Sequence, residues 1–550
     1  MWSTKVGCPA LPWSRVSRAL AGHVYFSVSS ARLGPTSAST EELPIIRVPR
    51  SMQTHVENPK QTRSKTNVNT VKAGKLLIQA KNASLNQSVG YTHGKFELPP
   101  LCSKGWKHSK SYGDYFAINN IKSVAPFVSG SHKEDAEKPA KTFHKLHISK
   151  ELVETLENLN IIHPTSVQLQ TIPKVMRGHN ILCAAETGSG KTLTYLLPIV
   201  HKLQHGGEGS SKIRALILVP SRELTEQVAA VSRSLCNPLG FVTRTVGGGR
   251  GVGHIKSVLK QSVPHILVAT PGALVKALRR RYLDLSELNF LVVDEADTMF
   301  DPSFAEMLED ILLSADIARH LRDVQGPAHK AQLLVVGATF PGGVGDVLSR
   351  VTDLGNMTVI KSSMLHFLMP HVKQTFIKVK SVDKILELNH YLKLLQQEHE
   401  GGAVLVFCNK SSTVNWLGYS LEEMGVNHAR LQGEMPASFR AGIFHNFQKG
   451  TVDVLLCTDI ASRGLDTTRV RLVVNYDFPE SHTDYIHRAG RVGRAGGLEG
   501  GKVLSFVSHP WEVELVQKIE MAARKKTSLP GMESQIREPK LENVEVEQQI

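Results

Sequence analysis

The run Phe290-Leu-Val-Val293 ends abruptly in Asp294-Glu-Ala-Asp297, and few folds can bury an apolar strand that stops in three carboxylates. Apolar throughout, it reads as a parallel strand covered on both faces, and open α/β sheets bind their ligands at the carboxyl ends of such strands. Carboxylates placed there can hold a hydrated Mg2+. Earlier in the chain, Ile181-Leu-Cys-Ala184 is a second short apolar run. It is followed by Ala185-Glu186-Thr187-Gly188-Ser189-Gly190-Lys191-Thr192 and a helix-compatible stretch. A glycine-rich turn between strand and helix directs backbone N–H groups at nucleotide phosphates. Lys191 then reaches the outer phosphates and the Thr192 hydroxyl binds the metal. Ala185 stands where such turns usually begin with glycine. Alone, the acidic string reads as a solvated turn; with the phosphate loop ahead of it, the two are halves of one site for ATP and Mg2+.

At 550 residues the chain exceeds one hydrophobic core and fits two domains plus extensions. Short apolar runs alternate with helical patterns from about 141 to 362, as in Ala215-Leu-Ile-Leu-Val219, His265-Ile-Leu-Val-Ala269 and Gln332-Leu-Leu-Val-Val336. A second series follows from 372 to 527, in Ala403-Val-Leu-Val-Phe407, Val452-Asp-Val-Leu-Leu456 and Val470-Arg-Leu-Val-Val474. Strand and helix in alternation imply two parallel sheets, each covered on both faces and facing the other across a cleft. Residues 363–371 break the pattern and read as a linker; 528–550 read as a tail.

The first 40 residues carry Lys5, Arg15, Arg18 and Arg32 among Ser, Ala, Leu and Val, and the first acidic residue is Glu41. That is the composition of a mitochondrial targeting segment; the alternative is a disordered basic arm. Residues 41–140 are rich in Lys, Ser, Asn and Pro with little periodicity, and read as a basic, flexible extension able to hold RNA loosely. The net charge of +15 suits a polyanionic partner. No apolar run is long enough to span a membrane. The six cysteines, at 8, 102, 183, 236, 408 and 457, show no metal-ligand spacing and read as free thiols.

From Phe143 to about Val507 these motifs, in this order, resemble the DEAD-box family of ATP-dependent RNA helicases. The resemblance implies two RecA-like α/β domains separated by an ATP/RNA cleft, in a monomeric catalytic core. It assigns Gln168 to reading adenine and Phe143 to stacking on it. Asp294 would hold the metal's water shell and Glu295 orient the attacking water. Arg491 and Arg494, in His487-Arg-Ala-Gly-Arg491-Val-Gly-Arg494, would serve as arginine fingers, and Asp466 would contact the ribose. RNA would be held through its backbone, without sequence preference, at Pro220, Arg222, Gly248, Thr270 and Gly272 in the first domain and Thr458, Arg463 and Gly464 in the second. Gly337, Ala338, Thr339 and His487 would couple hydrolysis to closure.

Several positions depart from the family's pattern. Asn160 and Ile161 replace glycine and an aromatic, Ala273 an arginine, Gln432 a histidine, and Ala437 the glutamine paired with Arg440. Gly337-Ala-Thr339 replaces Ser-Ala-Thr, so a hydroxyl is missing and duplex separation per ATP is expected to be poor. The ATPase set itself is complete. Three readings follow: an ATP-dependent RNA helicase, an ATP-gated RNA clamp or assembly factor that rarely unwinds, and a structural RNA-binding protein with a dead nucleotide site. Compartment and class together point to mitochondrial ribosomal RNA and ribosome assembly particles in the matrix, with the nucleus as a second location.

Overall fold

A computed structural model describes residues 75–94, 96–119, 142–205, 212–248, 251–261, 263–325, 330–340, 344–362, 372–397, 402–459, 467–493 and 500–529. The targeting segment, residues 41–74, the linker 363–371, and Arg463, Gly464, Asp466 and Arg494 lie outside these residues, as does the tail from 530 onward.

The first domain is built on seven strands: β4 (Ile181–Ala184), β5 (Ala215–Leu218), β6 (Thr243–Val246), β7 (Ile266–Ala269), β8 (Phe290–Val293), β9 (Gln332–Gly337) and β10 (Thr358–Lys361). They pair, all parallel, in the order β10-β4-β9-β8-β5-β7-β6. Side chains alternate between faces along each strand. Ile181 and Cys183 therefore join one apolar cluster while Leu182 and Ala184 join the other, which is why a run of four apolar residues is required here. Strand β9 lies between β4 and β8, with Gly337 paired to Ala184 and Val335 to Val293. The phosphate loop after β4 and the carboxylates after β8 thus leave the same edge one strand apart.

The second sheet has six parallel strands, as expected: β11 (Lys373–Lys378), β12 (Ala403–Phe407), β13 (Ala429–Leu431), β14 (Val454–Cys457), β15 (Val470–Asn475) and β16 (Lys502–Val507). It does not stop there. Three strands from the N-terminal side, β1 (Leu76–Ala80), β2 (Gln87–Ser88) and β3 (Tyr115–Ile118), extend it in antiparallel fashion to the order β13-β14-β12-β15-β16-β11-β3-β1-β2. The flexible extension expected over 41–140 is therefore corrected for residues 75–119. Trp106 and Phe116 are buried to 1% and 0% exposure there. On the Glu512–Lys525 helix, Glu520 accepts from Cys102 N (2.8 Å), Ser103 N (3.0 Å) and Ser103 Oγ (2.7 Å), and from Arg524 Nε (2.8 Å). A buried carboxylate is tolerated only when satisfied in this way. The chain thus begins the second domain, builds the first, and returns to finish the second. Among the described residues, no helix is long and apolar enough to cross a membrane.

Candidate active site

Gly188 and Gly190 of the phosphate loop take φ of +83° and +81°, a region that glycine enters without penalty. At the second glycine a Cβ would also stand 2.6 Å from Gln168 Nε2 and displace that carboxamide. Lys191 opens the Lys191–His205 helix, and its ammonium is held over the loop by the carbonyls of Ala185 (2.8 Å) and Glu186 (3.0 Å). Ser189 is buried beside it.

Gln168 sits in a capping box at the start of the Ser166–Met176 helix. Its Oε1 accepts from Thr165 N (2.9 Å) and its Nε2 donates to Gly190 O (3.0 Å). The carboxamide is tied to the phosphate loop and keeps one donor hydrogen and acceptor capacity for a base. Phe143 lies in the first domain's core at 1% exposure, so its ring offers no open face for stacking on adenine. Asn160 takes φ of +59°, the left-handed conformation that a glycine would supply, and asparagine is among the few other residues that enter it readily. That departure is conformationally neutral.

At the end of β8, Asp294 Oδ2 accepts from Tyr195 Oη (2.8 Å) and Oδ1 from Glu295 N (2.8 Å). Burial and the adjacent Glu295 charge push its carboxyl up to about 6, while Lys191 pulls it back. A cation would relieve that strain. The donors on offer, a carboxylate and the Thr192 hydroxyl, are hard oxygens suited to Mg2+. No group of three acidic, histidine or cysteine side chains able to cage a metal exists among the described residues. Tyr195, unforeseen in the sequence, is one turn beyond Lys191 on the same helix face. Glu295 is left-handed at φ +51° and ψ +51°, a conformation that costs a non-glycine residue about 1–2 kcal/mol. Strain of this kind collects where geometry serves chemistry.

Asp297 and His487 bring the second domain onto this site. Asp297 Oδ2 lies 2.5 Å from His487 Nε2, both side chains being nearly buried. Thr339 Oγ1 donates to the same oxygen at 3.4 Å. This is the hydroxyl of the threonine that Ser-Ala-Thr also carries, so the one absent at Gly337 is not replaced by it. Gly337 itself is pinned, its carbonyl accepting from Ala185 N at 3.0 Å, and Ala338 is buried. His487 lies in the last turn of the His482–Ala489 helix, and Arg491, 3% exposed, donates from Nε to His487 O at 3.1 Å. Burial alone would lower the His487 pKa, but the Asp297 carboxylate outweighs it and the net shift is upward. Elsewhere on the cleft, Arg440 Nε lies 3.4 Å from Glu223 Oε1.

The expected RNA residues gather at the strand ends beside the nucleotide site. Pro220 and Arg222 follow β5, Gly248 follows β6, and Thr270 and Gly272 follow β7. A Cβ at Gly247 would stand 2.8 Å from Arg222 Cγ, so that glycine lets the arginine lie across the edge. The Arg222–Cys236 and Pro271–Arg279 helices start here, the first capped by Ser221, which accepts from Leu224 N, and the second following Thr270 without a side-chain cap, and helix N-termini favour anions. Ala273, in place of arginine, is buried in the core. In the second domain Thr458 follows β14, and its neighbour Asp459 is committed to Arg488 Nε (2.7 Å) and Nη2 (2.6 Å). Arg488 also reaches Asn409 Oδ1 (2.7 Å) and Asp477 O (2.7 Å), clamping the ends of β12, β14 and β15. Gln432 donates to Asn415 Oδ1 at 3.1 Å.

Residues 165–347 match the DEAD/DEAH box helicase family and residues 383–496 the helicase conserved C-terminal domain. The chain is 47% identical over 535 residues to the "Probable ATP-dependent RNA helicase DDX28" of Mus musculus, covering 95% of this chain and 98% of that one. It is 48% identical over 522 residues to the Homo sapiens protein of the same name, covering 92% and 95%. Among solved structures it is similar in fold to Mss116p bound to ssRNA and AMP-PNP, with TM-score 0.61 and 22% identity over 72% of this chain and 80% of that one. It is also similar to S. cerevisiae Dbp5 bound to RNA and ADP BeF3, with TM-score 0.57 and 22% identity over 70% and 94%. With near one-half identity along almost its whole length, and with phosphate loop, strand-end carboxylates and arginine helix facing one another, the chain belongs to the DEAD-box family of ATP-dependent RNA helicases.

Proposed function

We propose that this helicase closes its two domains around ATP and an RNA backbone, and thereby separates short duplexes or remodels ribonucleoprotein in the mitochondrial matrix. The observation that carries this reading is the 2.5 Å contact of Asp297 with His487, which joins the carboxylate strand end to the arginine helix. In this reading Lys191 and the amides of the phosphate loop hold the phosphates. Thr192 and Asp294 hold Mg2+, which when bound neutralises phosphate charge. Glu295 orients the attacking water, and Arg491 with Arg494 stabilises charge on the transferred group, an effect worth roughly 10³ to 10⁵ in rate. RNA phosphates lie against the two helix N-termini and small residues, so binding follows backbone rather than sequence. ATP turnover with and without RNA tests the core of this reading. Turnover absent under both conditions would leave only a structural RNA-binding protein.

The acid-free, arginine-bearing segment 1–40 supports import into mitochondria, with the nucleus as a second location. A reporter fused behind Ser39 is expected to enter the organelle, and a diffuse cytosolic signal would refute this. The RNA is proposed to be mitochondrial ribosomal RNA during large-subunit assembly, an inference from class and compartment. Crosslinking in cells followed by sequencing of the bound RNA tests it. Buried Ala273, where an arginine would otherwise reach RNA, favours a second reading as an ATP-gated clamp that seldom unwinds.

A further inference from the structure

The N-terminal segment reaches the arginine helix through a stack of rings. In the pairing of β3 with β11, Phe116 lies directly opposite Phe376, and their rings stack at 4.8 Å and 12°. The Phe376 ring in turn stacks on Tyr485 at 5.8 Å and 24°. Tyr485 Oη donates to Gln374 Oε1 at 2.7 Å, so two neighbouring inward positions of β11 fix this one side chain. All four residues are at most 1% exposed. Tyr485 stands in the helix His482–Ala489, two residues before His487, which meets Asp297, and six before Arg491.

Two features make this more than filling of a core. On its outer side β11 pairs with β3, so removing the Phe116 ring opens the face of Phe376 at the edge of the parallel sheet. Stacked rings also prefer particular offsets and angles, so a lost ring changes how its partner is oriented as well as how much volume is filled. A helix that delivers a histidine and an arginine across a cleft is sensitive to such tilts, since misplacement by about 1 Å can cost on the order of a hundredfold in rate.

We propose that Phe116 is a positioning residue for ATP turnover: through Phe376 and Tyr485 it sets the helix His482–Ala489 against Asp297, so that the segment 75–119 is part of the catalytic apparatus. The inference rests on the reading that His487 and Arg491 act in turnover, which Arg491→Ala tests separately. Retained turnover in Arg491→Ala overturns that reading, whereas loss there with normal turnover in the Phe116 variant overturns only the positioning role.

The test uses the full chain at saturating RNA. Phe116→Ala is compared with Phe506→Ala, a ring of equal burial on the opposite face of the same sheet. For each, kcat and KM for ATP and the thermal midpoint are measured. Phe116→Ala is expected to lower kcat roughly threefold to tenfold with KM unchanged, as when one aromatic pair ceases to favour the productive arrangement. Phe506→Ala is expected to lower the midpoint while kcat stays within about twofold, as a cavity on the face of the sheet away from the stack should. Phe116→Tyr, which keeps the ring, should restore kcat. If Phe116→Ala does not accumulate as folded protein, Phe116→Leu replaces it in the same comparison. An unchanged kcat in the Phe116 variant, or equal losses of kcat in the two variants, overturns the proposal.

Discussion

Thr187 of the phosphate loop and Gly490 at the end of the arginine helix meet so closely that a Cβ at 490 would stand 1.8 Å from Thr187 Oγ1. Gly490 has φ of −68°, which any residue can adopt, so the requirement for glycine here is one of space between two domains. Gly490→Ala should therefore fold normally and fail to close. ATP turnover is expected to fall on the order of a hundredfold, the effect of a displacement of about 1 Å at a reacting centre. The thermal midpoint should hold. Thr187→Ala in the same chain removes the nearest atom and should recover part of the loss, giving a coupling between the two sites that separate effects would not. Full turnover in Gly490→Ala would show that the domains need not approach this far.

The ion pair between His487 and Asp297 gives the cleft a dependence on pH. Burial lowers the histidine's pKa, the Asp297 and Glu295 charges raise it, and the net shift is upward from 6.5. A raised histidine contributes its stabilisation fully below the unfolded value and loses it as pH rises through the folded one. Closure should thus weaken on the alkaline side of 6.5. RNA-stimulated turnover measured against pH is expected to show a decline there that His487→Gln abolishes. A profile identical in the two proteins would mean that the pair does not govern closure.

Glu295 combines a chemical role with backbone strain, and two substitutions separate them. Both Glu295→Gln and Glu295→Gly remove the charge that raises Asp294, but only glycine also relieves the left-handed conformation at φ +51°. Turnover should be lost in both. The glycine variant should unfold with about 1 kcal/mol more stability than the glutamine variant, the scale of a non-glycine residue in this region. Equal stabilities would show that the conformation is not strained.

Much of this site was legible because its chemistry needs particular residues at strand ends. An apolar run ending in acid fixes β8 and Asp294, and a glycine-rich turn before lysine fixes the loop after β4. What escaped depends on partners distant in the chain. The segment 75–119 reads as loose because its strands are two to five residues long and its composition is averaged with polar surroundings. Its burial is settled by contacts such as Cys102 N to Glu520, 418 positions away. Tyr195, and the partners of Arg488 within its cationic motif, escape for the same reason: a phenol or guanidinium acquires its role from the carboxylate it meets. Asn160 shows the converse, a departure from pattern that the backbone accommodates.

The two hydroxyl positions of the coupling segment, 337 and 339, can be tested apart. Gly337 lacks the one that a serine would bring, while Thr339 Oγ1 reaches the oxygen of Asp297 that His487 also meets. Thr339→Val keeps the shape and deletes this bond. At 3.4 Å the bond is long and acts on closure only through the carboxylate that His487 meets. Its loss therefore takes the lower end of the range of about 0.5–1.5 kcal/mol for a net hydrogen bond, and the closed state should lose about twofold in population. Turnover on single strands should change little while duplex separation per ATP falls by that factor. Gly337→Ser meets a different obstacle, because its Cβ would lie 3.1 Å from both Ala296 Cβ and Thr339 O. The neighbours would have to yield, and those neighbours are the ones that set Thr339 and the carboxylate segment. Separation per ATP in Gly337→Ser is therefore expected to stay at or below that of the parent. A several-fold gain in Gly337→Ser alongside a silent Thr339→Val would return the coupling role to position 337.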